Sequence, residues 1–202
     1  MKKVAFCFDL DGTVTSQEIL PLISKEIGIH EEINLLTQIT LKGLIPFQTS
    51  FKLRVKLLSQ IPISTVKGIV SKVPLQTSIQ EFIQGNSDNC YIVTGNLNVW
   101  VDDLIKTQLG CKYYSSIANH DGDSLRDIDT ILEKRSAIED LKKSYDTIVA
   151  IGDSMNDCSM FEIADVKIAY GGVHEPVETL KMMADYVVYD EKSLNTLLKN
   201  FI

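Results

Sequence analysis

An α/β fold is predicted for this chain: a parallel sheet with helices on both faces and a small helical insert near its start. Three observations carry the prediction. Beyond Pro74, short apolar runs of strand type alternate with segments of helical spacing, the pattern of parallel strands joined by helical crossovers. Between residues 17 and 73, helical segments follow one another with no convincing strand among them. Three strand-like runs end in polar clusters, Asp9/Asp11, Thr94-Gly95-Asn96 and Asp153/Asp157. Ligands of open α/β sheets bind at the carboxyl ends of the strands, so these scattered clusters are expected along one edge.

The elements follow in order. Val4-Ala5-Phe6-Cys7-Phe8 reads as a strand and leads into Asp9-Leu10-Asp11-Gly12-Thr13. From Gln17 to Ile29, apolar residues at Ile19, Leu20, Leu22, Ile23 and Ile27 keep helical spacing, with Gly28 as a stop. A second helix is expected from Glu31 to Lys42, ending at Gly43. A third runs from Pro46 to Gln60 with Phe47, Phe51, Val55 and Leu58 on one face, and a fourth over 64–73 between Pro62 and Pro74. A helix over 78–84 then precedes the strand Cys90-Tyr91-Ile92-Val93, and a helix over 97–109 precedes a strand near 112–118. Residues 119–131 read as a hairpin or loop. The remainder alternates: helix 134–143, strand 147–151, helix 156–163, strand 166–170, helix 175–183, strand 186–189 and helix 191–201.

Composition narrows the class. With 45% hydrophobic and 23% charged residues, the 202-residue chain suits one globular domain, or a core plus a small insert. A net charge of −7 counts against nucleic acid or an anionic membrane as the main partner. Cys7, Cys90, Cys111 and Cys158 form no CxxC and no Cys/His cluster, so neither zinc nor redox chemistry is suggested. The apolar run after Lys2-Lys3 is cut by Asp9, too early for a leader, and no apolar stretch approaches the roughly 20 residues that span a bilayer. A cytoplasmic monomer or homodimer is expected.

The polar clusters carry the chemistry. Residues two apart on a strand point to the same side, so Asp9 and Asp11 present paired carboxylates that call for a cation, best a hard divalent metal. Asp9 suits a nucleophile that attacks phosphorus, with Asp11 as acid and base for the leaving oxygen and the incoming water. The alternative is a plain turn after a strand. Thr94, at the start of a helix, offers a hydroxyl beside free N–H groups for an anion; the alternative is an ordinary N-cap. Asp153 can complete an oxygen shell for Mg²⁺, with Asp157, four residues on, orienting water or a lysine. The alternative there is an acidic helix start. Lys134, at the head of its helix, is the candidate cation facing the phosphate, because Lys142 and Lys143 fall late in that helix. His30 and His120 read as exposed and idle; for His174, after Gly171-Gly172 at the end of a strand, an idle position is the favoured reading and a place at the pocket rim the alternative.

Taken in order, Asp9-Leu10-Asp11-Gly12-Thr13, Thr94-Gly95, Lys134 and Gly152-Asp153-Ser154-Met155-Asn156-Asp157 resemble the motifs of the haloacid dehalogenase superfamily of phosphatases. The resemblance spans essentially the whole chain. It implies a Rossmann-like doubly wound core, Mg²⁺ dependence, and a helical cap of the C1 type inserted after the first motif. The core would be residues 1–14 and 75–202, and the cap residues 15–74. It implies that Asp9, Asp11 and Asp153 hold the metal, Asp11 mainly through its backbone carbonyl.

Within the superfamily the insert is similar to that of phosphoserine phosphatases. Glu18 stands nine residues after Asp9, where that family meets the substrate amine, and Phe47 and Arg54 stand seven apart, where its arginine pairs with the substrate carboxylate. Leu41, Gly95 and Asn156 fall at further substrate-binding positions. There are departures: Gly12 and Thr94 replace the usual serines, and Asn96-Leu97 replaces a glycine and an aromatic residue. The expected partner is a small phosphorylated metabolite such as phosphoserine. A phosphotransferase passing the group to homoserine, a phosphatase for another small phosphomonoester, and a catalytically idle phosphate-sensing module are the competing readings.

Overall fold

Seven strands form one sheet in the computed structural model, which describes residues 3–202. Met1 and Lys2, at the head of the expected core segment, lie outside the described residues. The strands are β1 (Val4–Phe8), β2 (Cys90–Leu97), β3 (Lys112–Asp121), β4 (Ser124–Thr130), β5 (Thr147–Gly152), β6 (Val166–Tyr170) and β7 (Tyr186–Val188), in the order β4-β3-β2-β1-β5-β6-β7. All neighbours are parallel except β3 and β4, the hairpin foreseen over 119–131, which adds an antiparallel edge. The chain winds outward from β1 to β3 and β4, then returns to β5 on the other side of β1. This reversal opens a crevice at the carboxyl ends of β1 and β5.

Alternation along β1 explains the two layers. Phe6 and Phe8 face one side, packed with α5 (Thr77–Gly85), α6 (Asn98–Leu104) and α10 (Glu191–Leu198). Ala5 and Cys7 face the other, packed with α7 (Lys134–Leu141), α8 (Cys158–Phe161) and α9 (Glu178–Met183). All four cysteines are free, and Cys7, Cys90 and Cys111 serve as small buried apolar groups.

The four helices read between residues 17 and 73 are α1 (Ile19–Ser24), α2 (His30–Leu41), α3 (Phe47–Leu58) and α4 (Ile63–Val70). They join the rest through two linkers lying side by side, with Ser16 N donating to Pro74 O and Gln76 N to Val14 O, both at 2.9 Å. Their apolar stripes do not form a separate core. Ile33, Phe51, Val55, Leu58 and Val66 belong to the same buried cluster as Phe6, Phe8, Ile92 and Trp100. The hairpin tip also meets the insert: Asp123 accepts from Ser64 N at 2.6 Å and Ser64 Oγ at 2.7 Å, at the head of α4. Among the described residues, no helix is long and apolar enough to cross a membrane.

Three local expectations need correction. β2 does not stop at Val93 but continues to Leu97, and α6 starts only at Asn98. Between Val93 and Leu97 the pairing with β3 slips, from Val93↔Tyr114 to Leu97↔Ser116, so Thr94, Gly95 and Asn96 ride on a bulge and not on a helix start. The helix expected over 175–183 begins at Glu178, since Pro176 disfavours the α conformation at the residue before it. His30, expected to be idle, is half-buried and places Nδ1 2.8 Å from Pro21 O, tying α2 to α1. His120 is exposed, as expected.

Candidate active site

The site begins where β1 ends. Asp9 N donates to Ile151 O at 2.9 Å, which keeps Asp9 aligned with β5. The chain then turns at Gly12, whose φ of +72° favours glycine. A Cβ at Gly12 would stand 2.9 Å from both Asp153 Oδ2 and His174 Cδ2. Conformation and crowding together account for glycine at the position where the family usually has serine.

Lys134 opens α7 directly beneath this turn and is 2% exposed. Its Nζ donates to Asp9 Oδ1, and to Asp157 Oδ1 at 2.6 Å. Lys142 and Lys143 lie on the surface, paired with Asp165 and Asp140. Asp157 is fully engaged: Oδ2 accepts from Asp153 N at 3.0 Å, Ser154 N at 2.9 Å and Ser154 Oγ at 3.1 Å. A Cβ on Gly152 would come within 2.4 Å of the Asp157 side chain, so the glycine makes room for this bracket.

Asp153 differs. It is buried, pairs with no cation among the described residues, and accepts from Thr13 Oγ1 at 3.3 Å. Asp9, Asp153 and Asp157 bring carboxylate oxygens within 4.8 Å of one another. Burial pushes the Asp9 carboxyl well above its usual range; Lys134 opposes this, while Asp157 and Asp11 add to it. Burial also lifts Asp153, with Asp157 and Asp9 adding their charge. One ammonium thus serves a crowd of carboxylates, and hard oxygen donors short of positive charge fit a divalent cation such as Mg²⁺.

Asp11 points the other way along the crevice. Its Oδ1 accepts from Ile19 N at 2.8 Å, and its Oδ2 accepts from Asn96 Nδ2. Burial, then the charge on Glu18, pushes its carboxyl up to about 7, against the pull of the Ile19 N–H. A carboxyl poised there can both give and take a proton near neutrality. Thr94 Oγ1 accepts from Asn96 N at 3.2 Å and Asn96 Nδ2 at 3.4 Å, leaving its own proton for a ligand oxygen.

Above these groups the insert closes a cavity of about 60 Å³, room for several water-sized groups. Asp9, Asp11, Thr94, Gly95, Lys134 and Asn156 line it from the core side, and Glu18, Leu41, Phe47 and Arg54 from the insert. Gly95 lies under the Phe47 ring, where a Cβ would approach to 2.3 Å. Arg54 is no surface residue: it is 4% exposed, donates Nη1 to Thr37 Oγ1 at 2.9 Å, and has no ion pair among the described residues. Burial lowers its guanidinium, which Glu18 and Asp11 counteract. Glu18 Oε1 accepts from His174 Nε2 at 3.1 Å, a bond that raises the imidazole above its ordinary range.

Several lining residues were not foreseen from the sequence. Thr37 and Thr40 line the cavity from α2, three residues apart on its buried face. Polar residues at that spacing in an otherwise apolar stripe were the available signal. Ser154 and Asn96 also line it; both stand in the polar clusters at the strand ends, though neither carries a role in the sequence reading. Thr13 stood in the first motif, but its bond to Asp153 spans 140 residues and leaves no local trace.

Comparison with known proteins gives the family. The profile of the haloacid dehalogenase-like hydrolases matches residues 6–162, and a second profile of that description matches residues 132–199. A phosphoserine phosphatase of Methanocaldococcus jannaschii is 31% identical over 98% of this chain and 97% of its own length. Among solved structures, a phosphoaspartyl-intermediate analogue of a phosphoserine phosphatase superposes with a TM-score of 0.84 at 27% identity, covering 97% of this chain and 98% of that one. A substrate-bound phosphoserine phosphatase complex gives 0.83, also at 27% identity, over 99% and 98% of the two chains. This chain belongs to the haloacid dehalogenase-like hydrolase family.

Proposed function

We propose that the chain is a Mg²⁺-dependent phosphomonoesterase that hydrolyses phosphoserine through a phosphoaspartate on Asp9. The observation that carries this reading is Arg54, a buried guanidinium that forms no ion pair among the described residues and lines the same cavity as Asp9. A buried charge without a partner is costly, and a ligand carboxylate would satisfy it bidentately. Glu18 lines the same cavity and suits the ligand's ammonium.

In this reading an Asp9 carboxylate oxygen attacks phosphorus, and the bond from phosphorus to the seryl oxygen breaks as Asp11 gives that oxygen its proton. Serine leaves, and Asp11, now ionised, takes a proton from the water that attacks the phosphoaspartate. Asp9 is returned with release of inorganic phosphate. Lys134 and the Thr94 hydroxyl hold phosphoryl oxygens, and Leu41, Phe47, Gly95 and Asn156 shape the cavity around the substrate. The side chains of Asp9 and Asp153, with the main-chain carbonyl of Asp11, would hold Mg²⁺, and Asp157 would steady Lys134 and the 153–154 backbone. Bound there, the ion would offset the charge shared by these carboxylates and the phosphate. Residues 15–74 would act as a cap that opens at the paired linkers to admit substrate and closes to exclude bulk water.

Two measurements test the reading. Arg54→Ala is expected to raise KM for phosphoserine on the order of 100-fold, the cost of unpairing a buried ligand carboxylate. An unchanged KM, or a panel of small phosphomonoesters in which phosphoserine ranks low, would reject the substrate. The metal has a separate signature. Burial lifts the Asp153 carboxyl above its usual range, whereas a bound cation requires it ionised, so Mg²⁺ is expected to compete with protons. Affinity is therefore expected to rise with pH, and calorimetry in buffers of different ionisation heat should register the released protons. An affinity independent of pH would count against these ligands.

A further inference from the structure

The loop between β6 and α9 brings His174 to the cavity's edge, and both sides of that loop are pinned. Ahead of it, Gly171 N donates to Val188 O at 2.8 Å. Behind it, Glu175 Oε1 accepts from Lys181 Nζ at 2.8 Å and Tyr189 Oη at 3.1 Å, and Val177 N donates to Asp153 O at 3.3 Å. The ring fills the space over Gly12, where a side chain would collide with it. From there Nε2 lies 3.1 Å from Glu18 Oε1. A carboxylate only accepts, so the imidazole is the donor. Among the described residues, Glu18 accepts from no other side chain. Glu18 stands at the entry to α1, where the nearby Asp11 carboxylate repels it.

The geometry points to His174 as a positioning residue that aims the Glu18 carboxylate at the substrate ammonium, making the site select for amine-bearing phosphomonoesters. One oxygen of Glu18 is held by the ring, which leaves the second for the ammonium. This inference rests on the phosphoserine reading above and assigns that reading's amine selectivity to a group outside the catalytic cluster. Among the described residues His174 hydrogen-bonds through its ring to Glu18 and to none of Asp9, Asp11 or Asp153.

The test compares O-phosphoserine with its deaminated analogue, 3-phosphooxypropanoate, in the full-length Mg²⁺-loaded enzyme. The readout is the ratio of kcat/KM for the two. Wild type is expected to favour phosphoserine, and His174→Ala and His174→Asn are each expected to lower the ratio about tenfold, mainly through KM for phosphoserine, as one charge-assisted hydrogen bond allows. His174→Gln, long enough to donate to Glu18, is expected to restore most of it. A merely structural role would depress both substrates together and leave the ratio alone; that outcome, or an unchanged ratio in both short variants, overturns the inference while the phosphoserine reading stands. A wild-type ratio near one overturns the reading and the inference with it.

Discussion

Asp9→Asn is expected to abolish turnover, with phosphate release falling by on the order of 10⁴-fold or more, as for other nucleophiles of covalent catalysis. The substitution is nearly isosteric. Asparagine can still accept from Lys134 Nζ, and its backbone N–H can still donate to Ile151 O, so the turn after β1 should keep its shape. What disappears is the nucleophile: an amide oxygen forms no acyl phosphate. The wild type, quenched in acid after mixing with substrate and Mg²⁺, should yield a hydroxylamine-sensitive phosphoryl adduct on this chain, and the variant none. Folding is checked by an unchanged circular dichroism spectrum. Activity above about 1% of wild type in a correctly folded variant would sink the phosphoaspartate mechanism, since residual catalysis from binding alone lies well below that.

Much of this site was legible because it sits where local pattern and topology agree. Val4–Phe8 reads as a strand by its apolar run, and the acids that follow it must emerge at a strand end. The same holds for Asp153 after β5. Adjacent parallel strands then bring Asp9 and Asp153 together with no further information. The amphipathic stripes of α1–α4 were likewise readable, but their merging into one buried cluster with the sheet was not, since a stripe does not name what covers it.

What was missed depends on pairing between distant residues. The bulge at Thr94–Asn96 is held by Ser116, whose Oγ donates to Gly95 O at 2.7 Å and accepts from Leu132 N at 3.0 Å. Nothing near position 94 announces that a serine on β3 will extend the strand, so a helix start was the natural expectation. His174 and Glu18 are 156 residues apart. Their contact depends on Gly12 having no side chain, a condition visible only once all three are brought to the same edge.

Lys134→Met should produce the largest stability loss of any single change in the site, about 3–5 kcal/mol, because it strands two buried carboxylates at once. At roughly 2–4 °C per kcal/mol for a chain of this size, the unfolding midpoint should fall by about 10 °C. Methionine matches the lysine stem, so packing is largely kept and the effect isolates the charge. In the wild type, burial pulls the ammonium down, yet Asp157 and Asp9 more than offset this and hold it raised and charged. Without it, Asp9 and Asp157 lose their only ammonium partner among the described residues, and the Asp9 carboxyl, already raised by burial, rises further. A carboxyl raised in the folded state favours folding at low pH and loses that advantage as pH climbs through its folded value. The deficit relative to wild type should therefore be smallest in acid and grow as pH rises. Added Mg²⁺ should recover part of it by supplying the missing charge beside Asp9. Activity should fall by on the order of 10²–10³-fold even where the variant is folded, because the phosphoryl group loses its protein-borne cation. A variant whose midpoint matches wild type at pH 8 without Mg²⁺ would show that Lys134 balances no buried charge there.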